Sequence, residues 1–325
     1  MVGCGGFATL CHGPAQRRYA DRHPDVELAG CCDPDLDRAL QYGKAVGYRR
    51  SYSDIGTMLK AEMPDAVVLA VPPEQTCNIA TPILERGIPL LLEKPPGISS
   101  AELRMLALAA EGRGLGAQVA FNRRYMPIML RALEIHRTEF TRPFSGHIVY
   151  EMARYDRWEP DFSTTAIHAF DAVLMLSGSP FRAAELQIRP VRQGSRETAN
   201  AQLEAECVSG ARVSLGVHPV SGRNLESIEI HAVGQSISMS IPTSPGAKDC
   251  GRLEHWRGDE KVAEFTDQNS DMVERLGIYG ETKAFIDAVR SGAALAPSLN
   301  ECTQQVSLME ALRSRNSGAV RFEAH

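Results

Sequence analysis

Aromatic residues are scarce in this chain, at 6% of 325 positions, too few for a stacking platform that binds single-stranded nucleic acid. A basic surplus is missing too: 35 Lys and Arg stand against 40 Asp and Glu, for a net charge of -5. With no Lys/Arg block to offset that balance, a general nucleic-acid binder is excluded. Long apolar runs are absent. The most apolar stretches, DAVVLAVPP and IPLLLEKPP, fall far short of the ~20 residues that a membrane helix needs. The N-terminus carries no basic segment ahead of an apolar run, so no signal peptide is expected. The eight cysteines form no C-x-x-C pair and have no zinc spacing with histidine. That pattern predicts reduced, mostly buried thiols in a cytoplasmic protein and no metal site.

What is present is 43% hydrophobic residues, enough for more than one domain. In the first half, short apolar runs alternate with helical patterns. VELAGCCD, DAVVLAVPP, IPLLLEKPP and AQVAF read as strands. Between them, DLDRALQYGKAVG, SYSDIGTMLKAEMP, QTCNIATPILERG and SSAELRMLALAAEGRG read as helices. Ser53 or Asp54 is placed to cap the second of these. Strands that are apolar without alternation are buried on both faces, and helices between them cover those faces. The expectation is a parallel sheet built from right-handed crossovers.

The chain opens MVGCGGFATLCHG. Gly3, Gly5, Gly6 and Ala8, with Phe7 among them, make a G-x-G-G-x-A turn. Gly3 permits a tight turn, Gly5 lets a pyrophosphate approach the backbone, and Ala8 lets the following helix pack closely. That helix is expected over ATLCHGPAQRRYADRH, with a breaker at Gly13-Pro14. Asp33 ends the next strand, 25 residues after Ala8, where it can accept hydrogen bonds from ribose hydroxyls. A 2'-phosphate there would meet a like charge, so NAD is favoured over NADP. Pro34 and Asp35 supply no positive charge, and Arg38 lies on the following helix. Such a turn needs a central strand of about 5 residues before it, yet only Met1 and Val2 precede Gly3. The expectation is a natural chain that begins several residues earlier.

From about residue 122 the texture changes. TTAIHAFDAVLML reads as a helix with Ile167, Phe170, Val173 and Leu174 inward. SGHIVYEMARYDR before it reads as a strand, and AAELQIRPV, NAQLEAECV, ARVSLGVHP, LESIEIHAV and QSISMSIP follow it as strands without long helices between them. Alternation such as Leu203, Ala205, Cys207 predicts an antiparallel or mixed sheet. DCGRLEHWRGDEKVAEF reads only as a charged segment, GIYGETKAFIDAVRSG and ECTQQVSLMEALRSRNSG as helices, and AVRFE as a short final strand. The predicted organisation is a dinucleotide-binding domain over 1–121 and a second domain over 122–325, with C-terminal segments packing back on the first.

The chain resembles the glucose-fructose oxidoreductase/inositol dehydrogenase family over its whole length. The likeness is carried by the glycine turn, VVLAVPP, LLLEKPP, FNRRYMP, the AIHAFD helix and FIDAVRSG. The resemblance implies an α/β fold: an N-terminal Rossmann domain with a parallel sheet, then an α/β domain with a large, open, mostly antiparallel sheet. It also implies pairing into homodimers or homotetramers, and hydride transfer between NAD and a secondary alcohol or ketone of a sugar, cyclitol or related polyol. Glu93-Lys94-Pro95 matches the family signature. By that likeness Lys94 sits by the nicotinamide and the reacting hydroxyl, stabilising a developing alkoxide, and Glu93 contacts the cofactor side. His168 matches the family's active-site histidine, suited to take the hydroxyl proton. Asp171 follows it and either orients the imidazole or bridges to another element.

By the same likeness Val71, Pro72 and Pro73 are expected to line the cofactor crevice or simply to end the strand, and Asn122, Arg123 and Arg124 to lie near nicotinamide and substrate. An arginine there can bind a substrate carboxylate or form a structural salt bridge. Tyr155 is placed to cover a ring-shaped substrate or simply to pack. Three departures stand out: Thr164 where the family usually has an aspartate, Ala166 in place of a glycine, and Thr76 where many members have a histidine. They point to an unusual substrate, to NAD-assisted lyase or glycosidase chemistry with no net redox, or to a non-catalytic ligand sensor.

Overall fold

The computed structural model describes residues 1–114, 116–159, 161–243, 250–269, 271–320 and 322. It divides into two compact units, one of Met1–Asn122 with Leu276–Cys302 and one of Arg123–Arg275 with Thr303–His325.

The first unit alternates strand and helix. A π-turn over Ala8–His12 leads into α1 (Gly13–Arg22). Then follow β1 (Gly30–Cys32), α2 (Leu36–Val46), β2 (Arg50–Tyr52), α3 (Ile55–Glu62), β3 (Val67–Leu69), α4 (Pro73–Leu84), β4 (Leu90–Glu93), α5 (Ser100–Ala110) and β5 (Ala117–Ala120). All strand pairs are parallel: β1 with β2, and β3 with β4 with β5. Val2 bridges Cys32 on one side and Leu69 on the other, both in parallel. Met1–Gly3 therefore joins the two groups into the doubly wound order β2-β1-Met1–Gly3-β3-β4-β5. Leu69, Leu90, Leu91 and Leu92 are fully buried, as two-sided helix cover demands.

The helix starts are set locally. Asp35 accepts the Arg38 N–H at 3.1 Å, Asp54 accepts the Thr57 N–H at 2.7 Å and Ser99 accepts the Glu102 N–H at 3.2 Å, each satisfying an orphan donor of a first turn. Asp54, not Ser53, caps its helix. The strand Arg50–Tyr52 overlaps the first two residues of a stretch whose sequence pattern suggests helix alone. Its half-polar residues occupy the sheet edge, where burial is incomplete.

The second unit is one nine-stranded sheet with helices. Its elements in chain order are α6 (Pro127–Glu139), β6 (His147–Tyr155), α7 (Ser163–Ser177), β7 (Phe181–Gln193), β8 (Arg196–Cys207), β9 (Arg212–Ser221), β10 (Leu225–Ala232), β11 (Gln235–Ser240), β12 (Arg252–Arg257), β13 (Glu260–Thr266) and α8 (Met272–Arg275). Next comes α9 (Ile278–Ser291), which packs on α1 in the first unit. The chain then returns to the second unit with α10 (Thr303–Arg313) and β14 (Gly318–Val320). The sheet order is β13-β12-β11-β10-β6-β9-β8-β7-β14. Among the described residues only the β6–β9 pair is parallel; the rest are antiparallel.

The charged segment read without regular structure holds the β12–β13 hairpin. Arg252 pairs with Glu264 and Lys261 with Glu254 across the strands, and these charges mask the alternation. Asp249 at its start, and Arg321 and Glu323 of the expected final strand, lie outside the described residues. No helix among the described residues is long and apolar enough to cross a membrane. Seven of the eight cysteines are buried, and Cys250 is exposed.

Candidate active site

The glycine turn stands at the C-terminal end of the central strand position. Gly3 has φ +84°, and a Cβ on it would lie 2.0 Å from the Ala70 carbonyl oxygen. No L side chain fits there. A Cβ on Gly5 or Gly6 would meet nothing within 4 Å, so bare backbone faces open space at the start of a helix. The first N–H groups of a helix lack intrahelical partners and attract anions. These residues fit a dinucleotide diphosphate. Ala8 is buried and packs the helix onto the sheet, while Phe7 is 42% exposed beside the open space. A cavity of about 730 Å³ lined by Met1, Gly30, Val67, Pro89 and Phe285 opens at the other, N-terminal, ends of the strands. Open parallel sheets do not bind dinucleotides at that end.

Asp33 follows β1 and is buried, with 4% exposure. Its Oδ2 accepts the Cys4 N–H at 2.9 Å, and its Oδ1 accepts the Asp35 N–H at 3.0 Å. Arg38 reaches back from α2 and donates to Asp33 Oδ1 at 3.2 Å and to Asp35 Oδ2 at 3.2 Å. The carboxylate is thus not alone, contrary to a reading from the adjacent residues. A helix places Arg38 one turn from its cap, facing the strand end.

Glu93 closes β4, and Lys94, half-buried, follows with a cis bond to Pro95. Glu93 Oε2 accepts the Lys94 backbone N–H at 3.1 Å, and Glu93 Oε1 lies 2.8 Å from His12 Nε2. Val71, Pro72 and Pro73 form the turn from β3 into α4, with Pro73 at its first position. Thr76 sits one turn on, buried. Asn122 donates from Nδ2 to the Leu276 carbonyl at 2.7 Å.

In the second unit, α7 carries three of the expected residues. Thr164 lies in its first turn, His168 one turn later and Asp171 three residues beyond, so all three share a side of the helix. His168 is 9% exposed and Asp171 fully buried. Asp171 takes the bridging role rather than the orienting one. It accepts Arg124 Nε at 2.9 Å and Nη2 at 2.6 Å, and Gln305 Nε2 at 3.0 Å.

Arg123, expected near substrate, is buried with its fork on Glu226, at 2.9 Å from Nε and 2.5 Å from Nη2. Arg154 and the Tyr150 hydroxyl also donate to Glu226. Burial pulls Arg123 below the usual arginine range and pushes Tyr150 above the usual phenol range. Tyr155 is 63% exposed and its backbone N–H is held by Asn224 at 2.9 Å.

Sequence reasoning set Arg38 aside as lying on the following helix, and it missed His12, Tyr150, Arg154, Glu226 and Gln305. A signal existed for three of them. Along β6 the inward phase runs Ile148, Tyr150, Met152, Arg154, and along β10 it runs Glu226, Ile228, Ile230. A charge in the inward phase of an alternating strand needs a buried partner. His12 has no such local marker.

The first 121 residues match the model of the oxidoreductase family with an NAD-binding Rossmann fold. Inositol 2-dehydrogenase 1 of Saccharopolyspora erythraea is 29% identical over 78% of this chain and 75% of its own length. D-apiose dehydrogenase of Paraburkholderia graminis is 27% identical over 47% of this chain and 40% of its own length. Among solved structures, levoglucosan dehydrogenase in complex with NADH and L-sorbose superposes with a TM-score of 0.81 at 17% identity, covering 100% of this chain and 98% of that one.

Proposed function

We propose that this chain, which belongs to the glucose-fructose oxidoreductase/inositol dehydrogenase family and is a dehydrogenase, moves a hydride between NAD and a secondary alcohol or ketone of a sugar, cyclitol or related small polyol. The observation that carries the reading is the Glu93-Lys94-Pro95 turn at the C-terminal end of β4, in the same parallel layer as the bare glycine turn. The relatives' names, inositol and apiose dehydrogenase, supply the substrate class.

NAD, when bound, supplies the hydride acceptor. Gly3, Gly5, Gly6, Phe7 and Ala8 would hold its diphosphate, and Asp33 its ribose. Val71, Pro72, Pro73, Glu93 and Asn122 would line the rest of its site. Lys94 donates a hydrogen bond to the substrate oxygen and stabilises the negative charge that builds there as hydride leaves. His168 takes the hydroxyl proton. Thr164 holds no fixed charge, so the proton step falls on His168 without a neighbouring carboxylate at that position. Arg124, Tyr155 and Asp171 shape the substrate side, with Arg124 fixed by Asp171. Arg123 serves that side indirectly, through the buried Glu226 network. The acting species is a homodimer or homotetramer.

The test is NADH formation with myo-inositol, D-apiose and levoglucosan. Lys94→Ala is expected to retain NADH binding and lose about 10³-fold in kcat, within the range for a positioned acid–base group. Unchanged turnover in Lys94→Ala would remove Lys94 from the chemistry.

A further inference from the structure

His12 is fully buried in the first unit, on the segment that begins at the glycine turn. It closes the π-turn Ala8–His12, in which the Gly13 N–H bonds to the Ala8 carbonyl, five residues back. Pro14 explains the widened turn. It brings no N–H to the ladder, and its ring crowds the carbonyl four residues earlier. Such one-residue expansions of a helix re-aim the side chains around them. Here the side chain concerned is His12.

Its Nε2 lies 2.8 Å from Glu93 Oε1. An ionised carboxylate only accepts, so Nε2 carries the proton. Nδ1 is buried without a hydrogen-bond partner among the described residues, and the edge of the Phe7 ring system packs at 5.5 Å between centroids. The ring thus serves the Glu93 carboxylate as a hydrogen-bond donor through Nε2. Glu93 uses its other oxygen, Oε2, to accept the Lys94 backbone N–H at 3.1 Å.

We propose that His12 is a positioning residue for Lys94: from the dinucleotide turn it fixes the Glu93 carboxylate, which in turn fixes the backbone from which the Lys94 side chain departs. The consequence is that the phosphate cradle and the lysine are set by one hydrogen-bonded chain, His12–Glu93–Lys94. The inference rests on the reading of Lys94 given above.

The test compares His12→Leu, which removes the donor, with His12→Gln, whose amide Nε2 ends at a similar reach. Three quantities are read on each: kcat with the best substrate of the polyol set, the Kd for NADH by fluorescence, and hydrogen exchange of the peptide containing Lys94 in the NADH-bound protein. His12→Leu is expected to lower kcat by about 30- to 100-fold, the scale of an ångström-level misplacement. Its Kd should change less than about threefold, and the Lys94 peptide should exchange about tenfold faster. His12→Gln is expected to recover kcat to within about fivefold of the parent, which loss of mere packing would not allow.

If His12→Leu fails to fold, His12→Asn takes its place, because its amide falls short of Glu93. A donor-free variant that keeps kcat within threefold and leaves exchange unchanged, while Lys94→Ala is inactive, overturns the inference and spares the Lys94 reading. If Lys94→Ala is active, the Lys94 reading falls, and the exchange measurement alone decides whether His12 orders that turn.

Discussion

The two units solve the placement of polar groups in opposite ways. In the first, the groups that would meet the cofactor are mostly backbone, held by short local devices. A glycine with φ +84°, an aspartate that accepts the N–H of Cys4 and a histidine hydrogen-bonded to Glu93 are enough. In the second, the helix that carries His168 is backed by full charges. Asp171 accepts Arg124 and Gln305, while Glu226 faces Arg123 and Arg154. Backbone dipoles are cheap to bury because secondary structure satisfies them. Buried ions are costly and are stable only as a complete set. The comparison teaches where each unit is brittle: the first at single backbone positions, the second wherever one ion loses its partner.

The sharpest way to break this comparison is Glu226→Gln. The amide keeps the shape and removes the charge, leaving two buried guanidinium groups without their shared anion. Removing one partner of a buried ion pair costs about 3–5 kcal/mol. The expected outcome is a fall of that size in unfolding free energy, measured by denaturant titration. A loss below about 1 kcal/mol would show that the network is solvated after all, and the contrast between the units would fade.

A smaller effect comes from His136 on α6. Its Nδ1 faces Arg142 Nη2 at 3.1 Å, and its Nε2 is buried without a hydrogen-bond partner among the described residues. Burial first, then the charges of Arg142 and Arg137, pulls its pKa from 6.5 down to about 4. The folded chain keeps this ring neutral down to about pH 4, whereas the unfolded chain protonates it near pH 6.5. Between those values the unfolded state binds more protons, so stability rises with pH and is lost as the pH falls. The contribution is about 3 kcal/mol across that window, at ~1.4 kcal/mol per unit. Denaturant midpoints for the parent and for His136→Asn, which keeps an acceptor but does not titrate, should converge as the pH drops from 6.5 toward 4. Parallel curves would contradict the assignment.

The legibility of the two units follows the same division. Local signals marked the first unit well. Gly3 announces a left-handed turn, the Val67–Leu69 and Leu90–Leu92 runs announce buried parallel strands, and Asp54 announces a helix start. Each depends on residues within a few positions. The alternation of β7 through β11 was equally readable, because one face of an antiparallel sheet is buried. What stayed hidden depends on partners far along the chain. Arg123 meets Glu226 across 103 positions, and His12 meets Glu93 across 81. The β12–β13 hairpin was hidden differently, since paired surface charges overwrote its period of two. Arg38 was within reach, only five residues from Asp33. Seeing its role required knowing that the first turn of α2 points it back at the strand end.

That Arg38–Asp33 contact supports the finest prediction, which concerns cofactor choice in the first unit. Asp33 and Asp35 both hold Arg38, at 3.2 Å each, so two carboxylates surround one cation. Arg38 is about half exposed, and its pairing is accordingly weak and screened. If Asp33 reads the ribose as proposed, a 2'-phosphate on it would meet net negative charge. Asp33→Asn keeps an oxygen for the Cys4 N–H and removes one negative charge, leaving Arg38 shared by a single carboxylate. The expected outcome is a rise of about tenfold in the ratio of kcat/KM for NADP over NAD, equal to ~1.4 kcal/mol. The gain should come chiefly from a lower KM for NADP, and it should shrink at high salt because the site is partly exposed. A ratio that does not move would mean that Asp33 acts on the turn through Cys4 alone and does not read the ribose.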